Sequence, residues 1–477
     1  MYSEVYLKRI VVLSLYFLTL SFSILAIYST NEFFIFYCIF ALSIEITIIS
    51  FINKNFTLLF FLFTFIFFQM SRLFLYYLGL TDLNWRRGYV GDFFDDETAL
   101  HTLKSFVIVL SALFFSQFLI TPKKNKVKKS SLNIFSEGNN LIIGIVSILL
   151  IFTLLVNIYK SYDVFLFIKK YGYVSYYKDY VGNKYMIILA DSSYIFFYYY
   201  LALTSNKKVK LKRIILILFI IATFFVLIQG TRRFFVLNIL LVLYYYLITS
   251  KKFSFRFILK LIIPVILLFV LFFMVSSVRM GRAQKNSLNL GDMLILFLEQ
   301  QGVSIVVPSY GYSYQQEIPD KGLNYLIPDQ INFLKNITRS KIDKSHREEQ
   351  ALEGNYLAQF ISYKVMPSRF NKGEGMGGSF ILEIYYYFGY IGLFIFSVLI
   401  GLFTVYASKT NMSGNSFLFV ILLSILHYFF LMPRSYPSQS FFTITSLKFW
   451  FVFFSLFLLQ TIVTYIKPKG ELINGCH

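Results

Sequence analysis

Apolar runs recur along the whole chain, each about as long as a helix needs to cross roughly 30 Å of hydrocarbon, and charged or turn-forming stretches break them up. Hydrophobic residues make up 57% of the chain and charged residues only 14%. A soluble domain is about one quarter charged, so a solvent-bathed fold is excluded. The pattern predicts an all-α polytopic membrane protein of about twelve transmembrane helices. They are expected near residues 10–28, 33–52, 57–79, 98–120, 139–158, 185–203, 214–230, 233–249, 257–275, 380–406, 416–432 and 439–463. The first run follows Lys8 and Arg9 but lacks a small-residue cleavage site, so it is expected to be retained as a span.

Loop charge sets the expected orientation, because cytoplasmic loops carry an excess of Lys and Arg. Lys8 and Arg9 precede the first span, Lys54 follows the second, and Lys123, Lys124, Lys126, Lys128 and Lys129 follow the fourth. Lys207, Lys208, Lys210, Lys212 and Arg213 follow the sixth, Lys251 and Lys252 the eighth, Lys409 the tenth, and Lys467 and Lys469 the last. Every even loop and both termini are therefore expected in the cytoplasm, and the acidic stretch Asp92, Asp95, Asp96, Glu97 on the other side. These inner anchors account for much of the formal net charge of +21, and they also meet anionic lipids. No zinc-finger spacing, recognition helix or phosphate-binding Gly-rich loop points to nucleic acid. Cys38 falls in a span and Cys476 in the tail, so neither a disulfide nor a thiolate metal site is expected.

One connection is long. The expected organisation is a bundle of nine helices over residues 1–275, a partly helical external loop over 276–379, three helices over 380–463 and a cytoplasmic tail over 464–477. A loop of that length is rarely unstructured. It holds an apolar stretch, Met293 to Leu298, able to dip into the interface, and a polar section from Lys341 to Gln350. Asp320 and Asp329 lie in Pro-rich turns, where structural Asx turns are expected.

Six arginines map to the external side: Arg232 and Arg233 in the tight turn Gln229-Gly-Thr-Arg-Arg, Arg279 and Arg282 at the loop entrance, Arg369 near its exit, and Arg434 between two prolines. Taken singly, an arginine near headgroups snorkels. Gathered, guanidinium forks suit phosphate oxygens and stay charged when desolvated. A lipid-linked pyrophosphate presents that group at the membrane surface.

The segment Arg369-Phe-Asn-Lys-Gly-Glu-Gly-Met-Gly-Gly-Ser379 leads into a helix that carries Glu383 and Tyr385. Glycines such as Gly375, Gly377 and Gly378 allow close approach, and backbone amides before a helix that begins near Ser379 can hold an anion or a sugar oxygen. Ser379 and Glu383 share one helix face. An intramembrane carboxylate is functional by default, and for Glu383 a polar network, a helix cap and a general base all remain open. Tyr385 can stack on sugar or anchor the interface. His346 is a second candidate base, set against a solvated helix rich in Lys and Glu. No carboxylate spacing matches a metal loop, so no metal and no cofactor is expected.

The Gly230-Thr-Arg-Arg233 turn, the Arg279-Met-Gly-Arg282 segment, Gln300-Gln-Gly302, the Gly373-to-Gly389 run with Glu383, and Pro433-Arg434 together resemble the Wzy family of O-antigen polysaccharide polymerases. The likeness implies a bacterial inner-membrane protein of GT-C-like architecture that acts without metal at the periplasmic face. Its implied substrates are oligosaccharide repeat units carried on undecaprenyl pyrophosphate, as donor and as acceptor, with a chain-length regulator and a flippase as pathway partners. Arg232, Arg233, Arg279, Arg282 and Arg434 would then hold pyrophosphate, and Glu383 or a loop acid would orient or deprotonate the acceptor. An O-antigen ligase shares this chemistry. A flippase would need charged residues at several depths, whereas here the polar features crowd one face.

Overall fold

Large apolar side chains cover even the outward faces of the long helices: Phe33, Tyr37, Ile44, Ile48 and Phe51 are all exposed on one of them. A helix that is apolar all round belongs in a protein core or in lipid. The computed structural model describes residues 19–119, 140–172, 175–176, 180–205, 211–229, 232–249, 289–337, 348–410 and 416–466. The helices used below are α1 (Thr19–Tyr28), α2 (Glu32–Ile52), α3 (Phe56–Tyr77), α4 (Asp96–Leu119), α5 (Asn140–Tyr171), α6 (Lys184–Thr204), α7 (Leu211–Ile228), α8 (Arg232–Thr249), α9 (Gly291–Ser313), α10 (Pro328–Ile337), α11 (Glu348–Glu353), α12 (Leu357–Val365), α13 (Pro367–Phe370), α14 (Phe380–Thr410), α15 (Ser416–Phe429) and α16 (Leu447–Ile466). Among the described residues nine helices are long and apolar enough to cross a membrane, or up to ten if Pro437–Thr445 and Leu447–Val463, which meet at 48°, form one span. The described residues contain no strand beyond two isolated bridges, Arg87 with Phe93 and Lys321 with Leu323.

Local sequence explains several helix starts. Asn31, Asn55, Asn183 and Asn289 each stand just before a helix and accept a backbone N–H of its first turn, as an N-cap asparagine does.

Two departures from the sequence expectation stand out. Helix α5 runs on to Tyr171 instead of ending near residue 158. Its later polar residues are paired: Asn157 donates to Ser193 at 3.2 Å, and Lys160 meets Asp191 at 3.3 Å. Helix α9 falls in the stretch expected as an external cap, yet it qualifies as a spanning helix by length and composition. The expected helix at 257–275 and both termini lie outside the described residues.

The chain forms two units. The first comprises the described residues within Met1–Asn125, Ser287–Lys409 and Phe430–Gln439. At one of its ends Asn55 joins three helices, donating to Thr404 at 3.2 Å and Gln117 at 3.2 Å and accepting from Ser408 at 2.8 Å. Lys54 and Lys409 stand at that end in sequence. At the opposite end Tyr77 donates to Glu32 at 2.9 Å, and Arg86 bridges Glu32 and Asp96. Helix α9 packs on α4 through Ser309 with Thr102 at 2.8 Å and Ser313 with Thr98 at 3.2 Å. Helix α14 is kinked at Gly389, whose φ of 61° and ψ of −159° are not helical.

The second unit comprises the described residues within Lys126–Asn286, Thr410–Phe429 and Ser440–His477. It contains α5, α6, α7, α8, α15 and α16. Phe197 stacks on Phe219 at 3.7 Å, Asn238 donates to Thr223 at 3.3 Å, and the Tyr198 hydroxyl meets His427 Nδ1 at 2.6 Å. Asp191 is held by Lys160 at 3.3 Å and Lys448 at 2.9 Å.

Candidate active site in the first unit

Four stretches, the first two adjoining in sequence and the others far away, come together around Gly377–Glu383. The first is the irregular run before α14. Gly377 has φ +84°, a left-handed conformation that a side chain resists. A Cβ built on Gly378 would lie 3.3 Å from the Ser435 carbonyl carbon, 3.3 Å from the Tyr436 backbone N and 3.4 Å from Glu383 Oε1. The close approach expected of these glycines is therefore to the chain's own backbone at residues 435–436. Ser379 is fully buried, and Met376 N donates to Ser362 Oγ at 3.0 Å, tying the run to α12. Gly375 is exposed.

The second stretch is the first turn of α14. Glu383 is only 1% exposed, among the equally buried Ile381, Leu382 and Ile384. Among the described residues its Oε2 has no hydrogen-bond partner and it makes no ion pair. A buried carboxylate left in that state is expensive, which sets it apart from a structural acid.

The third stretch is the turn after α15. Pro433 and Arg434 form a short 3-10 helix, Met432–Arg434, and Ser435 is extended at φ −154° and ψ 170°. The Arg434 Nη1 donates to Gln301 Oε1 at 3.3 Å, and its guanidinium lies 5.5 Å from the centre of the Phe68 ring, within cation–π range. Tyr436 and Tyr356 both donate their hydroxyls to Asp329, Tyr356 at 2.7 Å. Burial and the neighbouring Asp329 push the Tyr356 phenol above its ordinary range, so it stays a donor. Asp329 is thus no Asx turn; its two oxygens clamp tyrosines from two other segments. Asp320 does form the expected turn, accepting from Gly322 N at 2.9 Å.

The fourth stretch is the middle of α3, where Ile66–Met70 is π-helical. Gln69, fully buried, donates to the Pro433 carbonyl and lies 3.5 Å from Ser379 Oγ. Arg72, 3% exposed, donates to Asn84 O at 3.3 Å, and its Nε has no partner. A Cβ on Gly302 would sit 2.5 Å from the Arg72 backbone N. Glycine is what lets α9 close on α3 there and bring Gln301 to Arg434.

Of the other expected site residues, Arg369 and Tyr385 have contacts of their own. Arg369 pairs with Glu374 at 2.6 Å and faces the Tyr89 ring at 5.0 Å. Tyr385 packs edge-on against His101 at 4.2 Å, beside Tyr390 at 4.9 Å. Arg233 belongs to the second unit, is exposed, and lies 4.8 Å from the Phe234 ring; Arg232 begins the same helix. Arg279, Arg282 and His346 lie outside the described residues. Sequence reading did not single out Gln69 or Arg72, and it named Gln301 only within a motif. The usable signal was present: a Gln and an Arg one turn apart inside an apolar run, where polar residues in a span are conspicuous. Among the described residues no group of three or more His, Cys, Asp or Glu could hold a metal ion.

The arrangement offers a buried acceptor at Glu383, cationic donors at Arg434 and Arg72, and a glycine run, Gly377–Gly378, that seats the Arg434–Tyr436 turn beside them. That set suits an anion and a hydroxyl brought side by side. A family model described as O-antigen polysaccharide polymerase Wzy matches residues 10–469. No protein of curated function and no solved structure matches the chain.

Proposed function

The chain belongs to the Wzy family of O-antigen polysaccharide polymerases, and from that premise we propose that the Glu383–Arg434 centre joins lipid-linked oligosaccharide repeat units by glycosyl transfer. The donor is a growing glycan on undecaprenyl pyrophosphate, and the acceptor is a newly exported unit on the same carrier. An acceptor hydroxyl attacks the donor's anomeric carbon, the bond to pyrophosphate breaks, and Glu383 orients the hydroxyl and takes its proton. Arg434 stabilises the negative charge that gathers on the departing pyrophosphate, with Arg72 adding positive charge to the same neighbourhood. Arg232, Arg233, Arg279 and Arg282 are proposed to hold pyrophosphate as well. An all-helical membrane body suits the GT-C class of glycosyltransferases.

A periplasmic orientation is supported by charge. Lys54 and Lys409 stand at the end of the first unit marked by Asn55, Thr404 and Ser408, whereas Glu383 lies in the opposite end of α14. By the positive-inside rule the Glu383 end faces outward.

The observation that carries this reading is Glu383 itself, buried, without an ion-pair partner among the described residues and seated against Gly378. The test is to incubate purified protein with one lipid-linked repeat unit and size the products. A ladder from the wild type and none from Glu383→Gln is the expected result. A ladder of normal length from Glu383→Gln, or relocation of the lipid-linked unit without new glycosidic bonds, overturns it.

A further inference from the structure

Gln69 has no role in the chemistry above, yet its surroundings are unusual. It sits on a π-helical turn, a distortion that recurs at functional sites, and it is fully buried. Its amide orientation is fixed by its partner. The Pro433 carbonyl can only accept, so the NH2 faces it and Oε1 points away. Among the described residues that Oε1 has no donor, and neither does Glu383 Oε2. Gln69 Nε2 also lies 3.5 Å from Ser379 Oγ, and Glu383 stands one turn beyond Ser379 in α14, its backbone N donating to Ser379 O at 3.3 Å. Two buried side chains that neighbour one serine thus each carry an oxygen with no hydrogen to receive among the described residues. A neighbouring hydroxyl, Ser435 Oγ, is also without a partner. Buried polar atoms are almost always satisfied, so the site is built for a ligand that brings its own donors. A sugar carries hydroxyls; a pyrophosphate dianion offers only acceptors and would be repelled by both oxygens.

We propose that Gln69 is a substrate-positioning residue whose Oε1 receives a hydroxyl hydrogen of the acceptor sugar, holding that sugar beside Glu383. This rests on the glycosyl-transfer reading and sharpens it, since it assigns Gln69 to the acceptor and leaves Arg434 to the pyrophosphate. No bond is made or broken at Gln69. Its NH2 anchors it to Pro433 while its oxygen faces the sugar.

The test uses the full-length protein with a single lipid-linked repeat unit as acceptor and a longer lipid-linked glycan as donor, and measures KM for each. Gln69→Met keeps the length of the side chain and removes the oxygen; Gln69→Glu keeps an acceptor oxygen. The expected result is an acceptor KM about tenfold higher in Gln69→Met, the size of one lost hydrogen bond, an unchanged donor KM, and partial recovery of the acceptor KM in Gln69→Glu. An unchanged acceptor KM in Gln69→Met, or equal rises in both KM values, overturns the proposal and leaves Gln69 as a brace for Pro433. Should Gln69→Met fail to fold, Gln69→Asn, which withdraws the oxygen by one methylene, decides the question by the same KM comparison. Wild-type chain extension by Glu383→Gln would overturn the glycosyl-transfer reading whatever Gln69 does. An inactive Glu383→Gln beside an unaffected Gln69→Met would sink the Gln69 role alone.

Discussion

Each unit buries or half-buries a carboxylate on a long helix, and the two are treated in opposite ways. In the second unit Asp191 lies between Lys160 and Lys448, at 3.3 and 2.9 Å, and its neighbours are regular helices. In the first unit Glu383 is more deeply buried, has no cation paired to it among the described residues, and is surrounded by interrupted backbone: a π-helical turn, a 3-10 turn and a glycine run. Irregular backbone at membrane depth is tolerated only where protein or a water-filled cavity surrounds it. On the proposed function, the contrast is between a structural acid, paired by its own helices, and a working acid that a substrate would satisfy.

Substitutions can break or sharpen that contrast. Glu383→Gln should cost the most, lowering the rate of chain extension by roughly 10²–10⁴-fold, the range for a lost general base, with the protein still folded; sizing of lipid-linked products reads it. Near-normal extension would put Glu383 in the same class as Asp191. Next comes Arg434→Ala, expected to lower kcat/KM on the order of 10²-fold through lost charge-assisted hydrogen bonds, while Arg434→Lys recovers only part because lysine lacks the planar fork. A variant that extends glycan as well with lysine as with arginine would show that Arg434 acts as a bare charge.

Gly378→Ala tests the glycine run. Its Cβ would press on the Ser435–Tyr436 backbone at 3.3 Å, so the Arg434 turn must shift by a few tenths of an ångström. About a tenfold loss of rate is expected from such misplacement, with membrane insertion intact; an unchanged rate would mean the turn can give way freely. The smallest effect belongs to Asp191→Asn. Its partners are partly exposed, so the loss should be on the order of 1 kcal/mol of stability, seen as a small drop in Tm with chain extension unchanged. A large loss of activity there would erase the distinction between the two acids.

Much of the framework was readable in advance. Most long helices begin or end within a few residues of the expected bounds, because apolar runs of bilayer length admit few alternatives. The exceptions have one cause. Polar residues such as Lys160 look like the end of a span until a partner such as Asp191 is known, and the α9 stretch reads as a helix-like part of an external cap because Asp292, Glu299 and its glycines dilute its apolar signal. At the site, Glu383, Ser379, Gly377, Gly378 and Arg434 could be named from sequence because a carboxylate, clustered glycines and a proline-flanked arginine are conspicuous beside apolar runs. Gln69, Arg72 and Asp329 could not be given their roles, since each acts through segments that stand far away in the chain: Gln69 through Pro433, Arg72 through Asn84 and Gly302, Asp329 through Tyr356 and Tyr436.

By itself, then, the amino-acid order determined a multi-helical membrane body, because burying backbone polar groups in hydrocarbon leaves helices as the economical choice, and it marked Glu383, His346 and six arginines as worth watching. Only the tertiary structure decided which polar groups meet. It gave Asp191 its lysines, left Glu383 without a cation among the described residues, and brought Gln69 to Pro433 from far along the chain. Local composition cannot encode that difference, since an identical carboxylate is inert or poised according to the partners that packing places within hydrogen-bond reach.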